Sequence, residues 1–310
     1  MRIIFTGSGE FGRPTLAALL EAQHEIAAVY TQPDRPAGRG RKLTPTPIAQ
    51  FAADHALPLI PTSDFNAEHR PSADLMIVIA FGQKISAAAA DHPRLGSVNL
   101  HASILPKLRG AAPINWAILR GENQTGNSII RLAQKMDAGN ILAQSHLSIA
   151  EMETAGELHD RLAADGANLM LETIRQLQSG QAVETPQDDA QATLAPKLSR
   201  EISHIDWSAP AIEISRKIRG LYPWPGCRVR LLDAAGAECA KFTLVRARPA
   251  KEDEGPRWHP GEITSMGHIA CGRQAVEIIE IQPDGKRPMS LMDYHRGNIW
   301  MPGMRLEGIG

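Results

Sequence analysis

Asn99, His101 and Asp137 are the residues of this sequence whose types and placement suit group transfer at a carbonyl. The segment Ser97-Val-Asn-Leu-His-Ala-Ser-Ile-Leu-Pro106 opens as a strand, so Asn99 and His101, two apart, project to one face while Leu100 points away. An amide donor and an imidazole then share one site. When an amine attacks an acyl carbon, negative charge gathers on the carbonyl oxygen, and a preplaced Asn donor with a protonated His stabilises it as it forms. One such donor is worth roughly 3–4 kcal/mol of barrier. Asp137 lies in Gln134-Lys-Met-Asp-Ala-Gly139, a turn-like stretch between two apolar runs, 128–132 and 141–143. From there a carboxylate can face the imidazole, orient it, and accept a proton from the amine directly or through a water. Taken singly, an Asn and a His at a strand end and an Asp in a turn are more often structural than catalytic, and the pattern leaves that reading open. A metal site fits less well, because the set has no His pair or HExxH spacing and Asn is a poor zinc ligand. No Ser or Cys stands in a nucleophile-elbow context.

A competing site is Gly7-Ser-Gly9-Glu-Phe-Gly12, which matches GxGxxG between the first strand and the first helix. The acidic residue that should close the second strand and hold a ribose is missing: Tyr30-Thr31-Gln32 stands there, and Asp34 comes late in a Pro-rich loop. The glycines read better as the geometry of a tight turn. A nicotinamide-dependent oxidoreductase therefore remains only a rival reading, as does a catalytically silent RNA-binding protein.

These residues need a scaffold, and the first half of the chain supplies a βαβ rhythm: strand-like 2–5 and a helix after Gly12, then strand-like 25–30 and a helix from Thr46-Pro47. Pro47 suits a first helical position and Thr46 a cap. The unbroken apolar run Leu75-Met-Ile-Val-Ile-Ala80 predicts a strand covered on both faces, as in a parallel sheet. Residues 153–179 read as one long helix with Leu158, Leu162, Leu169, Met170, Ile174 and Leu177 on its stripe, closed by Gly180. Gly166 falls on that stripe, where it admits a neighbour closely. Residues 181–206 have no clear period and read as a linker. Beyond Trp207, a helix over 209–219 gives way to short alternating segments at 227–232, 241–245 and 275–281, which predict a small β-barrel or sandwich.

Composition narrows the class. At 310 residues, 43% hydrophobic and 22% charged, the chain has room for two packed domains and is not a disordered polymer. Cys227, Cys239 and Cys271 form an odd set without CxxC spacing, which suggests neither a disulfide scaffold nor a zinc cluster. With no signal-like start and no apolar run near the roughly 20 residues of a membrane span, a cytoplasmic protein is expected. Net charge is −1 overall, split into −4 over residues 1–206 and +3 over 207–310, a mild basic bias that decides little alone.

Three motifs carry a likeness that spans nearly the whole chain: Thr31-Gln-Pro-Asp-Arg-Pro-Ala-Gly-Arg-Gly40, Asn99-Leu-His101 continuing through Leu108-Arg-Gly-Ala-Ala-Pro-Ile114, and Lys135-Met-Asp-Ala-Gly139. On them the chain resembles the methionyl-tRNA formyltransferases, a branch of the folate-dependent formyltransferase superfamily. The resemblance implies that Asn99, His101 and Asp137 are the catalytic trio, and that a formyl group passes from 10-formyltetrahydrofolate to the α-amine of initiator methionyl-tRNA for translation initiation, with no metal. It implies an α/β architecture: a Rossmann-like catalytic domain with a mainly parallel sheet over 1–180, a linker over 181–206, and an OB-like, tRNA-contacting barrel over 207–310. The folate would lie near Phe81, Gly82, Ser103, Ile104, Leu105 and Pro106, with Leu105-Pro106 a candidate cis bond. Arg35, Arg39, Arg41 and Lys42 would form a cationic arm for phosphates near the tRNA acceptor end. Relatives that formylate an amino sugar nucleotide also carry a second domain, so the 35–42 arm decides the acceptor, and the tail motifs Tyr222-Pro-Trp-Pro-Gly226 and Ile281-Gln-Pro-Asp-Gly-Lys286 fit this branch. The chain departs from the family at Gly7-Ser-Gly-Glu-Phe11 and at Asn140, neither within the trio.

Overall fold

The computed structural model describes every residue except 38, 39, 41, 252–257 and 310. The chain separates into two units, one of Met1–Gly110, Thr125–Leu147 and His159–Ala195, the other of Ala111–Gln124, Ser148–Leu158 and Pro196–Gly310.

The first unit is built on seven strands: β1 (Arg2–Gly7), β2 (Glu25–Thr31), β3 (Leu59–Pro61), β4 (Leu75–Ile79), β5 (Ser97–His101), β6 (Ser128–Arg131) and β7 (Ile141–Gln144). Their order is β7-β6-β5-β4-β1-β2-β3. Pairing is parallel from β5 through β3 and antiparallel for β5 with β6 and β6 with β7. All five residues of β4 are buried, as its unbroken apolar run requires. Strand order reverses at β1, which has β2 on one side and β4 on the other, and in such sheets ligands bind beyond the carboxyl ends of the strands at that switch. Helix α1 (Arg13–Glu21) follows β1, and α2 (Pro47–Asp54) follows β2. The Thr46 hydroxyl accepts from Ala49 N at 3.0 Å, so the expected cap is in place.

Helix α3 (Ala155–Ser179) buries Leu158, Leu162, Met170, Ile174 and Leu177, and Gly180 ends it in the left-handed conformation, φ +68°. A Cβ on Gly166 would lie 2.7 Å from Leu100 Cδ2. The helix thus lies directly on Leu100 of β5, and the glycine is what lets it. The aperiodic stretch after α3 is tied to this unit. Thr185 and Ile141 exchange both backbone hydrogen bonds, at 2.8 and 2.9 Å, and Leu194 bridges to Arg109. The first half of residues 181–206 is therefore sheet edging, held by partners too distant in sequence to leave a period.

The second unit is antiparallel: β8 (Cys227–Leu232), β9 (Glu238–Pro249), β10 (Ile269–Ala270), β11 (Ala275–Pro283), β12 (Met289–Ser290) and β13 (Arg305–Gly308), ordered β10-β11-β9-β8-β13 with β12 on β11. Residues 262–263 bridge β13 and Ile269, so the sheet nearly closes into a barrel, as the alternating segments predict. Helix α4 (Ala211–Gly220) buries Ile214 and Ile218 in the same apolar cluster as Phe242, Val276 and Ile281. All three thiols are free, and burial pushes Cys227 and Cys271 up to about 12.

Within this unit Thr154 and Glu157 form a reciprocal cap at the start of α3, and Glu157 also accepts from Arg246 at 2.8 Å. The Arg246 guanidinium, aided by the cap, holds the Glu157 carboxyl down at about 2. A folded-state value below the ordinary 4.5 means the stabilisation is complete above about pH 5 and fades as pH falls toward 2. The Glu157 side chain is half exposed, so solvent screening limits the effect to no more than about 1 kcal/mol. In Glu157→Gln, melting temperatures measured from pH 7 to pH 2.5 should start slightly lower and lose less across that window than the parent's.

Candidate active site

Strand β5 lies between β4 and β6, and its period sets which side chains reach the site. Leu100 faces α3, so Asn99 and His101 face the opposite side. The His101 ring is buried, and its Nε2 lies 2.9 Å from the carbonyl oxygen of Leu108. A carbonyl can only accept, so Nε2 carries the hydrogen, and Nδ1 is the nitrogen left to face the site. Leu108 is delivered to this position by a tightly bent loop: Leu105-Pro106 is cis and Leu108 sits at φ +60°. The Ser128 hydroxyl donates to Ser103 O (2.6 Å) and accepts from Leu105 N (3.0 Å), while Gln144 Nε2 donates to Leu105 O (2.9 Å). The backbone of that loop is thereby fixed before it reaches the imidazole.

Asp137 approaches from the turn between β6 and β7. It adopts φ +52°, and its Oδ2 accepts from Gly110 N at 2.8 Å and stands 3.7 Å from His101 Nδ1. That gap is longer than a direct hydrogen bond and leaves the two largely buried groups facing one another. The turn is held from behind by Gln187, whose Nε2 donates to Asp137 O (2.8 Å) and Gly139 O (2.7 Å). Asn99 is half-buried, and among the described residues its side-chain amide has no hydrogen-bond partner. An amide with free donors, an imidazole with one committed nitrogen, and a carboxylate fixed beside the other nitrogen form an arrangement suited to an acyl group and an attacking amine.

The sequence matches the Formyl transferase family model over residues 1–174 and the Formyl transferase, C-terminal domain model over 197–298. The methionyl-tRNA formyltransferase of Methylococcus capsulatus is 41% identical, covering 99% of each chain. That of Agathobacter rectalis is 38% identical over 96% of each. The chain belongs to the methionyl-tRNA formyltransferase family. Its fold is similar to that of WlaRD, a sugar 3N-formyltransferase solved in the presence of dTDP and 5-N-formyl-THF, with TM-score 0.65 at 17% identity over 93% of this chain and 99% of that one. The N-formyltransferase from Helicobacter canadensis superposes with TM-score 0.66 at 16% identity, covering 91% and 98%.

The other expected site residues of this formyltransferase fall in several places. Phe81 and Leu105 are each 2% exposed, and Phe81 packs edge to face on Phe65 with ring centroids 5.6 Å apart. Their side chains belong to the core, so Gly82 (exposed, φ +77°) and the half-buried Ile104 and Pro106 are what those loops offer to a ligand. Ser103 is buried with its hydroxyl on Lys107 O. Arg35 and Lys42 are exposed on the two strands of a separate hairpin, Arg35–Ala37 with Lys42–Thr44, and Arg35 donates to Gln32 Oε1. Arg39 and Arg41 lie outside the described residues. Two of the three GxGxxG glycines are geometric: a Cβ on Gly7 would meet Ile79 O at 2.8 Å and one on Gly12 the Phe5 ring at 3.2 Å, whereas one on Gly9 would meet Ala80 only at 3.8 Å. Sequence reasoning missed the supports of the trio. Arg109-Gly110 stood inside a recognised motif without an assigned task, and Gln187 lies in an aperiodic stretch with no signal at all.

Proposed function

We propose that this formyltransferase moves the formyl group of 10-formyltetrahydrofolate onto the α-amine of initiator methionyl-tRNA, in the cytoplasm, with Asn99, His101 and Asp137 as catalytic residues. The carrying observation is the pairing of a committed His101 Nε2 with an Nδ1 that faces the Asp137 carboxylate at 3.7 Å. Full-length likeness to proteins named for methionyl-tRNA supports the acceptor, and a formyl-folate reported with WlaRD supports the donor class. Asn99, with its unpartnered amide, fits a formyl oxygen, and the backbone at Gly82 with Ile104 and Pro106 fits a flat, partly apolar pterin.

A folate donor supplies an activated acyl carbon on an amide-like nitrogen, N10. Asn99 Nδ2 donates to the formyl oxygen and stabilises the charge that gathers there as the methionyl amine forms its new C–N bond. His101, protonated at Nδ1, adds positive charge to the same oxygen. Asp137 accepts the proton that the amine gives up, directly or through a water, and passes it on to N10, which takes the electron pair of the breaking C–N bond and leaves as an N–H amine. Residues 1–180, with the edging through Ala195 that is hydrogen-bonded to them, form the catalytic domain, 196–206 lead out of it, and 207–310 face the tRNA. Arg35, Arg39, Arg41 and Lys42 contact phosphates near the acceptor end.

The test supplies 10-formyltetrahydrofolate with either methionyl initiator tRNA or an amino sugar nucleotide and follows the formylated product. Product on the tRNA alone is expected, and a preference for the sugar nucleotide would move the chain to the other branch. Replacing Arg39 and Arg41 by Ala should raise KM for the tRNA and flatten its salt dependence by about one unit of slope per lost phosphate contact. An unchanged slope counts against the arm.

A further inference from the structure

Arg109 is 4% exposed, and a buried guanidinium requires partners for its donors. Its Nε and Nη2 both donate to Gln187 Oε1, at 3.1 and 2.7 Å, and Nη1 pairs with Asp189 Oδ1 at 2.8 Å. The contact fixes which way the Gln187 amide points. Arg109 only donates and the Asp137 and Gly139 carbonyls only accept, so one amide orientation alone satisfies all four bonds. Gly110, the next residue along, gives its N–H to the Asp137 carboxylate. Asp137 is therefore gripped at its backbone through the Arg109 side chain and at its carboxylate by the Arg109–Gly110 backbone. That backbone is in turn fixed by Arg109 N to Thr193 O (2.9 Å) and Ala195 N to Arg109 O (2.7 Å).

We propose that Arg109 and Gln187 are positioning residues for formyl transfer, a clamp that sets the distance between the Asp137 carboxylate and His101 Nδ1. The proposal rests on the reading of Asp137 as the proton acceptor. It gives Gln187, outside every motif, a task in catalysis without any contact to substrate. Misplacing a catalytic group by about 1 Å can cost about 100-fold in rate, whereas substrate binding does not pass through this clamp.

The decisive variant is Gln187→Glu. It keeps an oxygen for Arg109 and replaces the two donated bonds with oxygen facing oxygen, so the turn must shift. With both substrates varied, kcat should fall about 10- to 100-fold while both KM values stay within about threefold. Combined with Asp137→Asn, the added loss should nearly vanish, since the clamp acts through the group already removed. Gln187→Met, neutral and of similar volume, serves if the Glu variant melts early, and the same non-additivity is expected. The proposal is overturned if a folded Gln187 variant keeps wild-type kcat while Asp137→Asn is impaired. It is also overturned if the two losses multiply. Full activity in Asp137→Asn alone sinks the site reading first and leaves the clamp nothing to position.

Discussion

His101→Ala is expected to turn over about 10²- to 10⁴-fold more slowly than the parent, with the tRNA KM nearly unchanged. The loss is chemical because the ring makes one committed bond, to Leu108 O, and presents its other nitrogen to the Asp137 carboxylate. On the proposed mechanism, removing it takes away positive charge beside the formyl oxygen and the ring that faces the proposed proton acceptor. The structural side effect is smaller: the Leu108 carbonyl loses its partner in a buried place, worth about 1–3 kcal/mol of stability. The two contributions separate in the measurement, since thermal melts report the second and kcat on folded protein reports the first. Wild-type kcat in this variant removes His101 from the chemistry.

The second large effect belongs to a glycine. A Cβ on Gly139 would stand 1.8 Å from the Arg131 carbonyl oxygen, a contact no side-chain rotation can relieve because Cβ is fixed by its own backbone and its partner is backbone. Gly139→Ala must therefore push the turn away from β6, and overpacking of this kind costs about 3 kcal/mol or more. The same turn carries Asp137 and the carbonyl that Gln187 holds, so activity falls with stability. Denaturant unfolding should give a clearly lowered midpoint, and whatever protein stays folded should show reduced kcat. By contrast, a Cβ added at Gly236 would meet no atom within 4 Å, yet that residue sits at φ +85°, so its alanine variant isolates backbone strain from crowding.

Much of the scaffold was legible because it depends on local pattern. Period two placed Asn99 and His101 together and sent Leu100 to the helix, where Gly166 on the α3 stripe receives it. Thr46-Pro47, the buried run of β4 and the alternating segments of the barrel were readable for the same reason. Boundaries shifted where tertiary pairing extends an element: the strand expected over 241–245 runs from Glu238 to Pro249, because β11 pairs along most of its length. The supports of the trio were not legible. Gln187 reaches Asp137 across 50 positions and Arg109 across 78, and no local rule couples residues so far apart. The ring nitrogen left free on His101 was equally hidden, since it follows from the carbonyl that a cis proline loop brings back to it.

The most direct test is single-turnover formylation, with enzyme in excess over charged initiator tRNA and 10-formyltetrahydrofolate saturating, comparing wild type with Asn99→Ala, His101→Ala and Asp137→Asn. The expected result is formylmethionyl-tRNA from wild type in one fast phase, with each variant slowed by about 10² or more while still binding tRNA with wild-type affinity. Variants that formylate at the wild-type rate, or that lose activity only because tRNA no longer binds, would contradict the assignment of the chemistry to these three residues.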